Sequence, residues 1–196
     1  MKKLAILLVA FAVNFVFAED IDKKLAEQVK NEAVKMKDEL DKKNYKYIGE
    51  VTHPKIIKVI GGVENVITMT KQAMEQQAAS GFSLAYVFHE PTSIYTHMSK
   101  ETVDKVEKEV VEYIVFIPTH MTTENADMKI SVEGYMIATS KNKNKWYLCN
   151  GGSNKAQAQQ LLDFLFPGFV KVVDGKSSIE LPKIDQKTEF KNAEKK

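Results

Sequence analysis

The chain has 196 residues, with 28 basic side chains, all lysine, against 26 acidic ones, for a formal charge of +2. Without arginine there is no planar fork for two-point binding of carboxylate or phosphate, which weighs against phosphate-clamping chemistry and base readout in DNA. The near-neutral balance gives no field that favours nucleic acid or an anionic membrane, and the single cysteine, Cys149, excludes an internal disulfide.

The first element is a secretory leader over residues 1–18. Lys2 and Lys3 start it, an apolar run over 4–17 follows, broken only by Asn14, and Val16-Phe17-Ala18 puts small residues at the positions a signal peptidase reads. The run is shorter than the roughly 20 apolar residues that span a bilayer, so no membrane span is expected after cleavage. The mature chain is then expected to begin at Glu19, carry no net charge and be exported, to the periplasm or fully secreted. It is about one domain long, enough to bury a core.

Ile21, Leu25, Val29, Ala33, Met36 and Leu40 fall on one helical stripe, which predicts an amphipathic helix over 20–43. Asn44 breaks it, and Tyr45, Tyr47, Ile48 and Val51 continue the apolar pattern. Thr52-His53-Pro54 reads as a helix start, with Thr52 as the cap and Pro54 in the first turn. Gly61-Gly62 stops that turn. A further helix is predicted over 63–80, with Val66, Ile67, Met74 and Ala78 on its apolar side.

Alternation then takes over. Residues 82–89 place Phe82, Leu84, Tyr86 and Phe88 on one side of a strand, and 92–98 is a second short strand. Residues 110–121 are rich in Val, Ile, Tyr and Phe, with Pro118 pointing to a bulge or an edge. Residues 128–139 alternate again, and 140–144 is a polar hairpin tip before a strand over 145–150. A short helix is predicted over 156–166 and an extended piece over 169–173. From Lys183 the charged, aperiodic end is expected to be disordered. The domain plan is a leader (1–18), one roll domain (19–175) and a flexible tail (176–196).

Helices first and a meander second predict an α+β fold, with N-terminal helices packed on one face of a curved antiparallel sheet and a short C-terminal helix. The helical N-terminus, the Thr52-His53-Pro54 entry, the Gly61-Gly62 break and the Lys145-Trp146-Tyr147-Leu148 strand resemble the nuclear transport factor two-like (SnoaL-like, cystatin-like roll) superfamily over about residues 25–152. That resemblance implies a cone-shaped roll, a pocket between sheet and helices, and often a homodimer through the open sheet face. The superfamily holds isomerases, dehydratases, hydrolases and non-catalytic modules, and fold alone does not choose among them. The chain departs from its smallest members by a long loop over 99–108 and by the extension after Gly152.

Among candidate chemical groups, His53 stands first. At a helix start an imidazole is held neutral, as a general base or a hydrogen-bond donor. Tyr86, Tyr113, Tyr135 and Trp146 are the aromatic side chains that would line a ligand pocket with it, or serve simply as sheet core. Glu112 and Glu133 are strand carboxylates that would either pair for acid–base work or face outward. His89-Glu90 lacks the second histidine of a zinc protease motif, and no histidine spacing predicts a metal site. Cys149 reads as a buried, inert thiol. The basic turn over 141–145 is a solvated tip rather than a nucleic-acid site.

No assembled catalytic set emerges and no cofactor is implied. The expected function is an exported non-enzymatic module that binds a small apolar or amphipathic ligand, or a protein partner. The alternatives are a small hydrolase, isomerase or dehydratase using His53 with a strand carboxylate, and a structural homodimer or envelope-assembly factor.

Overall fold

The computed structural model describes residues 15–103, 106–152, 154–170, 172–173, 176–177 and 181–190. The fold is α+β: the described residues form five helices and a seven-stranded antiparallel open sheet, with a separate two-stranded pair. In chain order the elements are β1 (Phe15–Asp20), α1 (Lys23–Asp41), α2 (Tyr45–Val51), α3 (Pro54–Ile60) and α4 (Val63–Ala79). Then come β2 (Ser83–Phe88), β3 (Ser93–Val103), β4 (Val106–Glu124), β5 (Met128–Ser140), β6 (Tyr147–Asn150), α5 (Lys155–Leu165), β7 (Val172–Val173), β8 (Lys176–Ser177) and β9 (Asp185–Phe190).

Local chemistry sets most helix ends. Asp22 caps α1, its carboxylate accepting from the Lys24 and Leu25 amides. Gly61 ends α3 at φ 88°, a left-handed conformation that side chains with a Cβ rarely adopt. Two details differ from expectation. Residues 45–51 form a helix of their own, so four helices precede the long meander. The cap of α3 is His53, whose ring accepts from the Lys55 amide; the Thr52 hydroxyl instead donates back to the Ile48 carbonyl and closes α2.

The sheet is organised around the long β4–β5 hairpin. β3 pairs with the first half of β4 and β2 with its second half; β6 pairs with the second half of β5 and β9 with its first half. Pro118 lies where β4 changes partner from β3 to β2. It is neither in a bulge nor on an edge strand, because the β4–β5 register runs through it unbroken, Pro118 facing Tyr135. Its carbonyl accepts from the His89 amide on the β2 side. In a strand the N and C=O of one residue point the same way, so the missing N–H also faces that interrupted side and the β5 ladder loses no donor.

Both faces of the hairpin's middle are covered, which corrects the expectation of helices on one face only. One cluster joins Val29 and Ala33 of α1 to Phe88, Ile94, Val115, Ile117, Met136, Ala138, Trp146 and Leu148. The other joins Ala158, Leu162 and Leu165 of α5, with Phe166 and Phe169, to Ile114, Phe116, Tyr135 and Ile137. Alternate residues of β4 and β5 thus enter opposite cores. Burying each large apolar side chain is worth about 1.5–3 kcal/mol, so the two clusters carry most of the fold's stability. The chain passes from one face to the other beside β6, where Thr52 bridges Leu148, and this brings α3 onto the α5 side.

Two further expectations are overturned. Residues 99–108 are no long loop: Ser99 through Val103 pair with Val110 through Val106, so β3 and β4 simply extend as a hairpin. Nor is the chain after residue 176 wholly free. Leu181 and Ile184 pack on the α5-side core, and β9 pairs with β5 from Met128 to Glu133. Main-chain bonds recruit β9, whose side chains are all exposed; a polar sequence gives no hydrophobic signal for such a strand. Of the expected leader, residues 1–14 lie outside the described residues, while Phe15 to Ala18 pair with Met98 to Tyr95 of β3.

Candidate functional site

Two cavities lie on opposite faces of the hairpin. The first is a slot of about 160 Å³ under the C-terminal half of α1. Met36 and Leu40 come from the helix stripe, Tyr86 and Phe88 from β2, Met121 from β4, and Val132 and Met136 from β5. The Tyr86 and Phe88 rings stack parallel with centroids 5.8 Å apart. Gly134, between Val132 and Met136 on the same face, leaves the floor open. Lys37 and Asn150 supply polar groups at its wall. Lys37 is held by Asp41 at 2.6 Å, and that hydrogen bond raises its pKa.

The second cavity, about 230 Å³, lies on the α5 side between α3 and the β5–β6 turn. His53, Lys55 and Lys58 line it from α3 and its cap; Glu112, Thr139, Ser140, Lys141 and Tyr147 line it from the sheet. The turn that carries Lys141 is fixed by Ser140, whose hydroxyl accepts from the Lys143 amide at 2.9 Å, and by Asn142, whose carbonyl oxygen accepts from the Asn144 and Lys145 amides. His53 is 3% exposed and Glu112 5%. His53 Nε2 lies 4.0 Å from Glu112 Oε1. The Phe166 ring stands edge-on to the imidazole at 5.8 Å and Tyr147 at 6.2 Å.

The state of His53 follows from its surroundings. Burial, then the charges of Lys55 and Lys141, push its pKa from 6.5 down to about 4, so the ring is neutral at pH 7. Nδ1 accepts the Lys55 amide and carries no proton. The one ring proton therefore sits on Nε2, aimed toward Glu112. His53 is a donor here, and its Nε2 faces the Glu112 carboxyl group.

The five residues expected to share one pocket are divided by the sheet. Tyr86 lines the slot, and Tyr113 packs on the same α1-side core with the Lys143 ammonium 4.3 Å over its ring. Trp146, buried in that core, also borders a shallow recess beside Tyr47 and Glu50. Tyr135 touches the slot from β5, but its ring belongs to the other core, against Phe116 at 5.1 Å. Burial pushes its phenol up to about 12. His53 lies in the second cavity alone.

The two strand carboxylates are not a pair. Each faces a histidine: Glu112 faces His53, and Glu133 takes His120 Nδ1 at 2.6 Å. Cys149 is buried, its thiol pushed to about 12 by desolvation, with Sγ 3.7 Å from the Ile137 carbonyl. Sequence reasoning missed Met36, Met121 and Met136 as lining residues, though the first lies on the α1 stripe. It also missed Lys55, Lys58 and Lys141, which no local pattern separates from other surface lysines.

Among the described residues no group of three or more His, Cys, Asp or Glu is placed to hold a metal ion, and no helix is long and apolar enough to cross a membrane. No protein-family model, curated protein or solved structure matches the chain.

Proposed function

We propose that this chain is an exported binding module whose slot under α1 takes the apolar part of a small apolar or amphipathic ligand. The observation that carries this reading is the lining. Three methionines, two stacked aromatics and a leucine wall the slot, with one lysine and one asparagine to orient a polar end. Methionine adapts to varied apolar shapes, and a cavity near this size with apolar walls accepts a single ring or a short acyl chain. The roll fold and the expected leader fit such a role.

The test is a methyl-resolved NMR titration of the protein with octanoate. The methyl groups of Met36, Met121 and Met136 shift in a saturable way, while those of Met69 and Met74 on α4 stay still. Unmoved slot methyls at millimolar octanoate would remove the reading.

A further inference from the structure

The polar groups of the slot under α1 narrow its ligand class. Resting on the slot reading above, we propose that the slot takes uncharged ligands, an apolar body that ends in a carbonyl oxygen, and that Asp41 sets this selection by occupying Lys37.

Lys37 is the one cation among the described residues that line the slot. Its ammonium lies 2.6 Å from Asp41 Oδ2 and 3.9 Å from Asp38 Oδ1. Two carboxylates against one ammonium leave this end of the slot with a net charge of −1 (+1 − 2). The Lys37–Asp41 pair is partly exposed, and such pairs are weak, so Lys37 is not locked in place. It nevertheless gains nothing by turning to an anion. A ligand carboxylate would replace the Asp41 carboxylate with another like it. Asp41 would be left beside a new negative charge, and the ligand would lose its own water to apolar walls.

A cationic ligand fares no better. No Asp or Glu stands among the described lining residues, and Asp41 borders the neighbouring recess with Lys43, Lys71 and Glu75 instead. An ammonium inside the slot would find no counter-charge.

The slot does offer neutral donors. Asn150 faces Met136 across β6 and β5, and its side-chain oxygen accepts from the Gly152 amide at 3.0 Å. The remaining end of that side chain is its NH2 group, a donor. Thr119 stands opposite Gly134 in the β4–β5 ladder. Its hydroxyl oxygen lies 3.8 Å from where a Cβ on Gly134 would stand, beside the open floor. An amide donor and a hydroxyl can both meet a carbonyl oxygen without placing a charge among methionines and aromatics. Short-chain ketones, amides and esters have these parts; fatty acids and alkylamines lack the neutral head.

The experiment is methyl-resolved NMR of the whole protein at pH 7.5, titrated separately with octanamide, octanoate and octylammonium. The first two share a shape and differ in charge. The methyl shifts of Met36, Met121 and Met136 read the affinity. Octanamide is expected to bind about tenfold more tightly than octanoate, because only the anion must lose a charged group's water. Asp41→Asn releases Lys37 and narrows that ratio about threefold, the scale of one exposed ion pair. Asn150→Asp keeps an oxygen for the Gly152 amide but removes the donor, and weakens octanamide about tenfold. Octanoate that binds as tightly as octanamide overturns the selection and leaves the slot reading standing. So does octylammonium that binds more tightly than octanamide, or a folded Asn150→Asp that binds octanamide as the wild type does. An unchanged ratio in Asp41→Asn overturns the part given to Asp41. Slot methyls that move with none of the three probes overturn the slot reading itself, and the selection with it.

Discussion

Gly151 lies so close to Tyr135 that a Cβ on it would meet the Tyr135 carbonyl oxygen at 2.5 Å and the ring at 2.7 Å. The Gly151 amide, just past the end of β6, donates to that same carbonyl at 3.0 Å, which holds the glycine Cα where a Cβ does not fit. Because one obstacle is backbone, rotation of a side chain cannot relieve the clash. Gly151→Ala is therefore expected to destabilise the protein by about 1–3 kcal/mol, the usual range for overpacking. Urea denaturation checks this; an unchanged midpoint would mean that β6 and the chain after it are free to shift.

Gly134 makes the opposite case. A Cβ there meets nothing closer than the Thr119 hydroxyl oxygen at 3.8 Å, and the backbone is ordinary strand. Gly134→Leu is expected to fold with a stability within about 1 kcal/mol of wild type, because the new side chain enters the slot instead of the core. The same variant should lose octanoate binding. Retained binding with an intact fold would place the ligand elsewhere.

His53 gives stability a defined pH window. Its pKa is 6.5 in the unfolded chain and about 4 in the folded one. Between these values the unfolded chain binds more protons, so stability is full above pH 6.5 and falls as pH drops toward 4. The loss is up to about 3 kcal/mol. The groups facing the ring are Glu112, Lys55, Lys58, Lys141 and Tyr147. Denaturation midpoints measured from pH 7.5 to 4 should slope through this window in the wild type and flatten in His53→Gln.

The other histidine–carboxylate pair behaves differently. His120 and Glu133 face each other across β4 and β5, but their side chains are 32% and 58% exposed. Solvent screens such pairs, so Glu133→Gln is expected to change stability by less than about 1 kcal/mol and to matter less as salt rises. A loss of several kcal/mol would show that β9, which pairs Asp185 with Glu133, depends on this charge.

Phe166 joins the second cavity to the core. It is fully buried, with ring centroids 5.8 Å from His53 and His97 and 6.0 Å from Phe169. Phe166→Ala is expected to cost about 3–5 kcal/mol by opening a void. It should also free the imidazole, raising the His53 pKa toward 6.5 as water enters. Histidine NMR titration reads this directly.

The helices and the α+β order were legible because each rests on a local pattern: the α1 stripe, the glycine pair after α3, the alternation of β2. Two-sided burial was also written in the chain. Ile114, Val115, Phe116 and Ile117 run without a polar residue, and a strand covered on one face alternates instead. The division of Tyr86 from His53 was not legible, because it depends on where the chain rounds the sheet beside β6. Glu112 and Glu133 look alike in sequence. Only the passage of α3 to the α5 side buries the first, while the second stays at a solvated end of the hairpin. β9 left no trace at all, since its attachment is made by main chain.

The pairing of β1 with β3 sets a competition in time. Ala18 lies opposite Tyr95 and Glu19 opposite Ile94, so the bond at which the leader is expected to be cut sits inside a sheet. A peptidase needs that same stretch of backbone extended and unengaged. If the leader is cut there, cutting and folding exclude each other at this bond, and whichever comes first would decide the product. A chain cut there while still unfolded would have the Tyr95–Met98 border of β3 bare. A chain that folds first would keep residues 15–18 paired with β3 and shelter the bond after Ala18 from the enzyme. The ratio of the two forms would then act as a clock, recording how fast this sheet closes relative to export.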